Sequence, residues 1–373
     1  MTTSRLLNHA LHLYLLIGLA LLLAATGASA GLQIVWGPVL GDLTSTSAQL
    51  TWYTNIPSYG YVEVEGQPVA RGGPLQAHKV ILKGLQPGTN YYYRLVAESE
   101  GQRATSRRCR FTTPAEGLSE FTFCAYGDTR SNPADHAKVV KAMMTCAPAL
   151  ILHSGDLVAS GSSMSDWHQF FPVIARFSPT VPLYPCLGNH EGNASNYYGF
   201  LPLPAGGGDR DCEWYTTVYG SCQFISLDTC RRVEEQGKWL RDLLAQPRPA
   251  GVRWRIAVFH APPYTSGPHE NDQGARQYFC PYLEAPGGVD LVFNGHNHYY
   301  ERSLKGRLNY VTVGGGGAPL YTNPSLVNPY RKAFADVLDF ARIQVSPGAL
   351  QMTAFGADGK VLDQCTVLPQ GGA

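Results

Sequence analysis

The sequence predicts two units in series: an all-β sandwich over residues 31–114, then an α/β domain over residues 120–373. Residues 31–114 hold only short runs that alternate apolar and polar, the period of half-buried strands. From residue 120 strand-like runs alternate with helix-length segments, the pattern of layered α/β structure. A content of 40 Gly, 26 Pro and 21 Tyr suits many turns and much sheet rather than a helical bundle. Residues 1–30 stand apart: a weakly basic start at Arg5, an apolar run over 13–25 and the small-residue triplet Ala28-Ser29-Ala30 read as a cleavable signal peptide. That run is too short to span a bilayer comfortably, so no membrane anchor is expected. The mature chain is expected to begin at Gly31 and to be secreted or periplasmic.

Within the first unit, residues 48–53 alternate as a strand with Trp52 placed to fill a sandwich core. Leu85-Gln86-Pro87-Gly88 then turns into a strand opening on Tyr91-Tyr92-Tyr93, the form of a tyrosine corner. His78 reads as a surface or edge-strand residue. Residues 115–120 form the linker. In the second unit residues 121–126 are a strand, and Asn132-Pro133 is an N-cap with proline at the first helical position, opening a helix towards Cys146. A strand over 149–153, a helix over 165–177 and a strand over 181–187 follow. Residues 213–228 read as a hairpin across Tyr219-Gly220, and 253–259, 289–293 and 309–313 as strands. Residues 340–367 return to short strands around an Asp358-Gly359 turn.

With a net charge of +1 and only 15% charged residues, no long-range field selects nucleic acid or anionic lipid. Nine Cys in an exported chain imply some pairing with at least one thiol left over, and Cys212, Cys222 and Cys230 are close enough in sequence to be candidates. Cys124, inside a strand, reads as a small buried hydrophobe.

Five short pieces carry the chemistry: Gly127-Asp128, Gly155-Asp156, Gly188-Asn189-His190-Glu191, His260 and Gly295-His296-Asn297-His298. Each places Asp, Asn or His just after a strand-like run, where loops at strand carboxyl ends converge in open α/β sheets. Together they supply the oxygen and imidazole ligands that two adjacent metal ions need. Cations about 3.5–4 Å apart activate a water and stabilise the entering and leaving oxygens of an in-line displacement. Gly314 to Gly317 lacks the Gly-Lys-Ser/Thr ending of a phosphate-binding loop and reads as a turn allowing close backbone approach.

This string, ending in Gly295-His296-Asn297-His298-Tyr299-Tyr300-Glu301-Arg302, resembles the calcineurin-like metallophosphoesterases, and most of all their purple acid phosphatase branch. Residues 31–114 resemble a fibronectin type III domain, which members of that branch often carry in front of the catalytic domain. The resemblance implies two layered β-sheets flanked by helices and a dinuclear centre of iron, zinc or manganese. It implies that Asp156 bridges the metals, that Asp128 and His298 bind the first, and that Asn189, His260 and His296 bind the second. His190 would hold phosphate and protonate the leaving group, with His269 lining the same cleft. Arg130 is a candidate for substrate phosphate, since a guanidinium fork suits its oxygens.

The departures are specific. Ala159 stands where the branch has the tyrosine that ligates iron(III), so no tyrosinate–iron centre is expected, and Arg130 stands where the wider superfamily has a histidine ligand. His136 and His153, the histidines nearest to hand, read as structural. The expected activity is an acid phosphatase-type phosphomonoesterase on small phosphorylated compounds. A phosphodiesterase on the same core, or an inactive binding protein with a degenerate first metal site, are the alternatives.

Overall fold

The computed structural model describes residues 31–69, 72–322 and 324–369; the signal peptide expected over 1–30 lies outside the described residues. Seven strands between Ile34 and Thr112 form one hydrogen-bonded network. Its pivot is the long strand Ser47–Val64. The first half of that strand pairs with Ile34–Gly41 and Pro74–Lys83, the second half with Asn90–Ser99 and Gln67–Val69, and the register breaks between Tyr53 and Ser58. One strand thus serves two layers by bending at an irregularity, the way sandwich corners are built. Trp52 is fully buried between the layers among Leu50, Val62, Leu82, Leu95 and Phe111. The tyrosine corner closes with the Gln86 N–H donating to the Tyr91 hydroxyl at 2.6 Å.

His78 is not a surface residue. It is buried, its ring stacks on Trp52 at 4.9 Å, and its Nε2 lies 3.1 Å from Ser58 Oγ. Gly60 makes the room, since a Cβ there would collide with the His78 ring. Burial pulls the His78 pKa down to about 4. The unfolded chain takes up the proton near the ordinary value of about 6.5, the folded chain only near 4, so the neutral ring's contribution is complete above 6.5 and lost as pH falls through that window. His78→Gln is therefore expected to lower the urea midpoint at pH 7.5, with the gap to wild type narrowing towards pH 4.5. A gap independent of pH would contradict the assignment.

The second unit has two sheets. One runs in the order Leu183–Pro185, Leu150–His153, Phe121–Tyr126, Asp339–Val345, Leu350–Gly356, Val361–Val367, and its first three strands are parallel. The other runs Gly206–Gly207, Trp214–Tyr219, Cys222–Ser226, Trp254–Val258, Leu291–Asn294, Leu308–Val313, Tyr300–Lys305, Arg331–Ala335, with the central four parallel. Inward-facing aromatics join them: Phe123 packs edge-on against Phe224 and Phe293, with ring centroids 5.3 and 6.2 Å away. Helices Pro133–Met143 and Met164–Ile174 cover the first sheet through Val139, Val140, Trp167 and Phe170. Asn132 caps the former by accepting from the Asp135 N–H, and Ser163 caps the latter by accepting from the Asp166 N–H. The helix Val233–Ala245 and two short ones, Gln273–Tyr278 and Cys280–Leu283, cover the second sheet through Leu240, Ala275, Phe279 and Leu283. Residues 213–228 form the expected hairpin, Tyr219 pairing with Cys222.

The N-terminal sandwich is docked on the first sheet's helical side. Trp36 stacks on Phe171 at 3.8 Å, Thr51 Oγ1 donates to Phe200 O, and the Tyr93 hydroxyl donates to Pro179 O. The expected pairing among Cys212, Cys222 and Cys230 does not occur: all nine cysteines are free thiols. Cys222 is buried at the start of the strand Cys222–Ser226, whereas Cys230 lies exposed in the loop that follows it. Among the described residues no helix is long and apolar enough to cross a membrane.

Candidate metal centre

Four of the strands that end near the centre lead into a glycine and then a polar residue, while the strand Trp254–Val258 leads through Phe259 to His260, and packing explains the glycines. A Cβ on Gly127 would strike Ser154 Oγ, one on Gly188 the Asp156 backbone, and one on Gly295 the Asp128 carboxylate. Three of the candidate positions are themselves bent back: Asp128, Asp156 and His296 have φ of 57°, 54° and 69°. For non-glycine residues this costs about 1–3 kcal/mol each, and such strain gathers where side chains are aimed at a ligand. The Gly314 to Gly317 run has the same logic. Gly316 donates to Gly127 O at 2.9 Å and Gly315 to Asp339 Oδ2 at 2.8 Å, and Cβ atoms at either place would meet backbone.

Asp156, Asn189, His260 and His296 converge. His260 Nδ1–H donates to Ser154 O at 2.8 Å, so Nε2 faces inward. Around Nε2 lie Asn189 Oδ1 at 3.0 Å, His296 Nδ1 at 3.2 Å and Asp156 Oδ1 at 3.3 Å. Such a cluster of acceptors is stable only around a cation, whether a proton or a metal ion. Burial opposes charge on His260, but Asp156 beside it lifts its pKa to about 10. Burial likewise works against Asp156, yet His260 holds its carboxyl below the ordinary range. Metal binding at these atoms is coupled to loss of that proton.

Asp128, Asp156 and His298 form a second group whose ligand atoms all lie within 4.8 Å of one another, and so do those of Asp156, His260 and His296. Asp156 belongs to both, the position a shared ligand must occupy. His298 Nδ1–H donates to Pro319 O at 2.7 Å, which turns Nε2 towards Asp128 Oδ1 at 3.7 Å. Both donor sets, carboxylate plus imidazole with Asn189 Oδ1 in one, fit a first-row or similar divalent ion. Arg130 closes the open side of the second group, its Nε 3.4 Å from Asp156 Oδ2 and its Nη2 3.4 Å from His298 Nε2.

His190 stands at the rim, its side chain 30% exposed and its Nε2 3.8 Å from Asp156 Oδ2. Its Nδ1 is bonded to Ala159 O at 2.7 Å, so the residue without a ligating side chain supplies the carbonyl that orients this imidazole. His269 stacks on His296 at 4.0 Å. His136 and His153 face away: both are buried, with His136 bonded to the Tyr126 hydroxyl and His153 to Thr129.

Residues 121–300 match the calcineurin-like phosphoesterase family. Acid phosphatase type 7 of Mus musculus is 30% identical over 326 residues, covering 78% of this chain and 70% of its own length. The chain belongs to the purple acid phosphatase branch of the calcineurin-like phosphoesterases. Purple acid phosphatase 18 of Arabidopsis thaliana is 25% identical over 324 residues, spanning 79% of this chain and 68% of the relative. The structure of purple acid phosphatase PPD1 from yellow lupin seeds superposes with a TM-score of 0.75 at 20% identity, covering 89% of this chain and 74% of that one. This purple acid phosphatase homologue is thus a phosphoric ester hydrolase with an N-terminal β-sandwich.

Three residues of the centre were given no role by the sequence, although Glu191 and Asn297 stand inside its motifs. Glu191 is buried under the site and its carboxylate accepts from the backbone N–H groups of Gly188, Asp156, Leu157 and Val158 at 2.8–3.3 Å. It ties the second and third strand-end loops together, and its place beside Asn189-His190 was the available signal. Asn297 accepts from the His269 N–H at 3.1 Å and donates to Thr265 Oγ1 at 2.9 Å, holding the His269 loop. Tyr321 stacks on His298 at 4.2 Å and its hydroxyl lies 3.2 Å from His269 Nε2. It comes from an irregular segment, where no periodicity marks it. Losing one such hydrogen bond is worth about 1 kcal/mol, about fivefold. Tyr321→Phe is therefore expected to lower kcat/KM for p-nitrophenyl phosphate about fivefold, chiefly through KM; an unchanged KM would place the hydroxyl outside the substrate's reach.

Proposed function

We propose that this phosphoesterase is an exported phosphomonoesterase of acid phosphatase type, acting on small phosphorylated compounds with two metal ions held across Asp156. The observation that carries the reading is Asp156 itself, buried and shared by two acceptor groups with His190 at the rim. In this reading Asp128 and His298 complete one site, Asn189, His260 and His296 the other, with iron, zinc or manganese as the metals. Two such cations would activate a water and stabilise the oxygens entering and leaving phosphorus. His190 Nε2, freed by the Ala159 bond at Nδ1, points into the cleft and delivers a proton to the departing alkoxide. Arg130 and His269 flank the same opening, and the guanidinium's unused N–H groups suit phosphate oxygens. Nucleic acid and membrane partners are not part of this proposal, in keeping with the near-neutral charge.

The test is hydrolysis by metal-reconstituted enzyme of p-nitrophenyl phosphate against bis(p-nitrophenyl) phosphate. The expected result is a kcat/KM at least about tenfold higher on the monoester, a difference of about 1.4 kcal/mol in transition-state binding. A preference for the diester assigns a phosphodiesterase. Two bound metals without turnover on either substrate would sink the enzymatic reading of this site.

A further inference from the structure

The metal centre uses none of the cysteines, yet two of them are brought together beneath it. Cys124 lies in the strand Phe121–Tyr126, four positions before Asp128. Since Phe123 faces the other sheet, the alternation of the strand turns Cys124 to the helix side. Cys146 ends the short 3-10 turn Met144–Cys146 that follows the helix Pro133–Met143 on that side. The chain just beyond it is fastened to the same strand, because the Ala149 N–H donates to Thr122 O at 2.8 Å. As a result the Cys124 and Cys146 side chains interact directly. Cys124 is completely buried, whereas Cys146 is part-exposed on a cavity of about 390 Å³ lined also by Thr145, Arg342 and Phe355.

We propose that Cys124 and Cys146 are a dithiol pair that closes into a disulfide, stapling the end of the helix Pro133–Met143 to the strand that leads into Asp128. Two features give the pair a direction. Cys146 opens on the cavity and Cys124 does not, so an external oxidant reaches Cys146 first. The Cys124 thiol beside it, with Arg342 also near, pulls the Cys146 thiol down to about 6, whereas burial pushes Cys124 up. A thiolate is the attacking species in thiol–disulfide exchange. With a low-molecular-weight disulfide such as oxidised glutathione, the Cys146 thiolate attacks one sulfur, forming a mixed disulfide and expelling one glutathione thiolate. Cys124 then gives up its proton, and its sulfur displaces the second glutathione. Two protein thiols lose two electrons in all, the oxidant's S–S bond is reduced, and both protons end on the released thiols.

Peptide mapping of the full-length protein tests this. After incubation with oxidised glutathione and alkylation of remaining thiols, trypsin digestion without reductant is expected to yield residues 111–130 joined to residues 142–176, each of which carries a single cysteine. Closing a loop of this length is expected to raise Tm by about 5 °C relative to the reduced protein. Cys146→Ser should lose that oxidant-dependent shift while hydrolysing p-nitrophenyl phosphate as the wild type does. Recovery of both cysteines alkylated, each singly glutathionylated, or linked to other partners would overturn the proposal. So would an oxidant-dependent Tm shift of equal size in Cys146→Ser.

Discussion

Replacing Asp156 by Asn is expected to reduce hydrolysis of p-nitrophenyl phosphate by about 10³-fold or more, a loss of about 4 kcal/mol of transition-state stabilisation. The size follows from the position. Asp156 faces both acceptor groups, accepts from the His190 N–H at 3.0 Å through Oδ1, and holds the charge that lifts His260. Asn keeps the volume and one acceptor oxygen but removes the charge shared between the groups. The fold should survive, because the backbone of residue 156 remains tied to Glu191. The expected signature is normal far-UV circular dichroism, metal content well below that of the wild type, and activity near background. Retention of more than about a tenth of wild-type activity would contradict a shared-ligand role for Asp156.

His190→Ala is expected to have the next largest effect, and one that depends on the leaving group. A positioned acid contributes about 10²–10⁴-fold when the departing oxygen needs a proton. The Nδ1 bond to Ala159 O fixes which nitrogen faces the cleft, and the ring is accessible there. An alkyl phosphate such as glycerol phosphate should lose within that range, whereas p-nitrophenyl phosphate, whose phenoxide departs without help, should lose about tenfold or less. Metal content should not change, since His190 is outside both acceptor groups. Equal losses on the two substrates would assign His190 to phosphate binding rather than to proton transfer.

The parts of this centre that were legible in the sequence are those written locally. A strand ends, glycine lets the chain turn against its neighbour, and the next residue is thrown into the left-handed region with its side chain aimed at the cleft. Glycine precedes the polar residue at 127, 155, 188 and 295, and the left-handed turn follows it at Asp128, Asp156 and His296, whereas His260 follows Phe259 and was marked only by its place after a strand. The Asn132 cap, the Tyr91 corner and the hairpin at Tyr219 were equally local, being set by side chains within a few residues of the backbone they hold. His78 was misread because its burial depends on a partner strand: a missing side chain at Gly60 and the Trp52 ring make its pocket, and neither is adjacent in sequence.

The sequence by itself therefore determined the all-β and α/β halves, the strand ends and the identity of the inward-facing polar residues, because periodicity, caps and glycine positions act over a few residues. Only the tertiary structure decided which of those residues come together in the two acceptor groups, since that depends on two sheets packing through Phe123, Phe224 and Phe293 until their carboxyl ends meet. It also decided what stands around them: Arg130 against Asp156 and His298, Ala159 O against His190, Tyr321 over His298 and Glu191 beneath the loops. Those partners lie as far as 168 positions apart along the chain, and contacts of that span come from packing rather than from any local pattern.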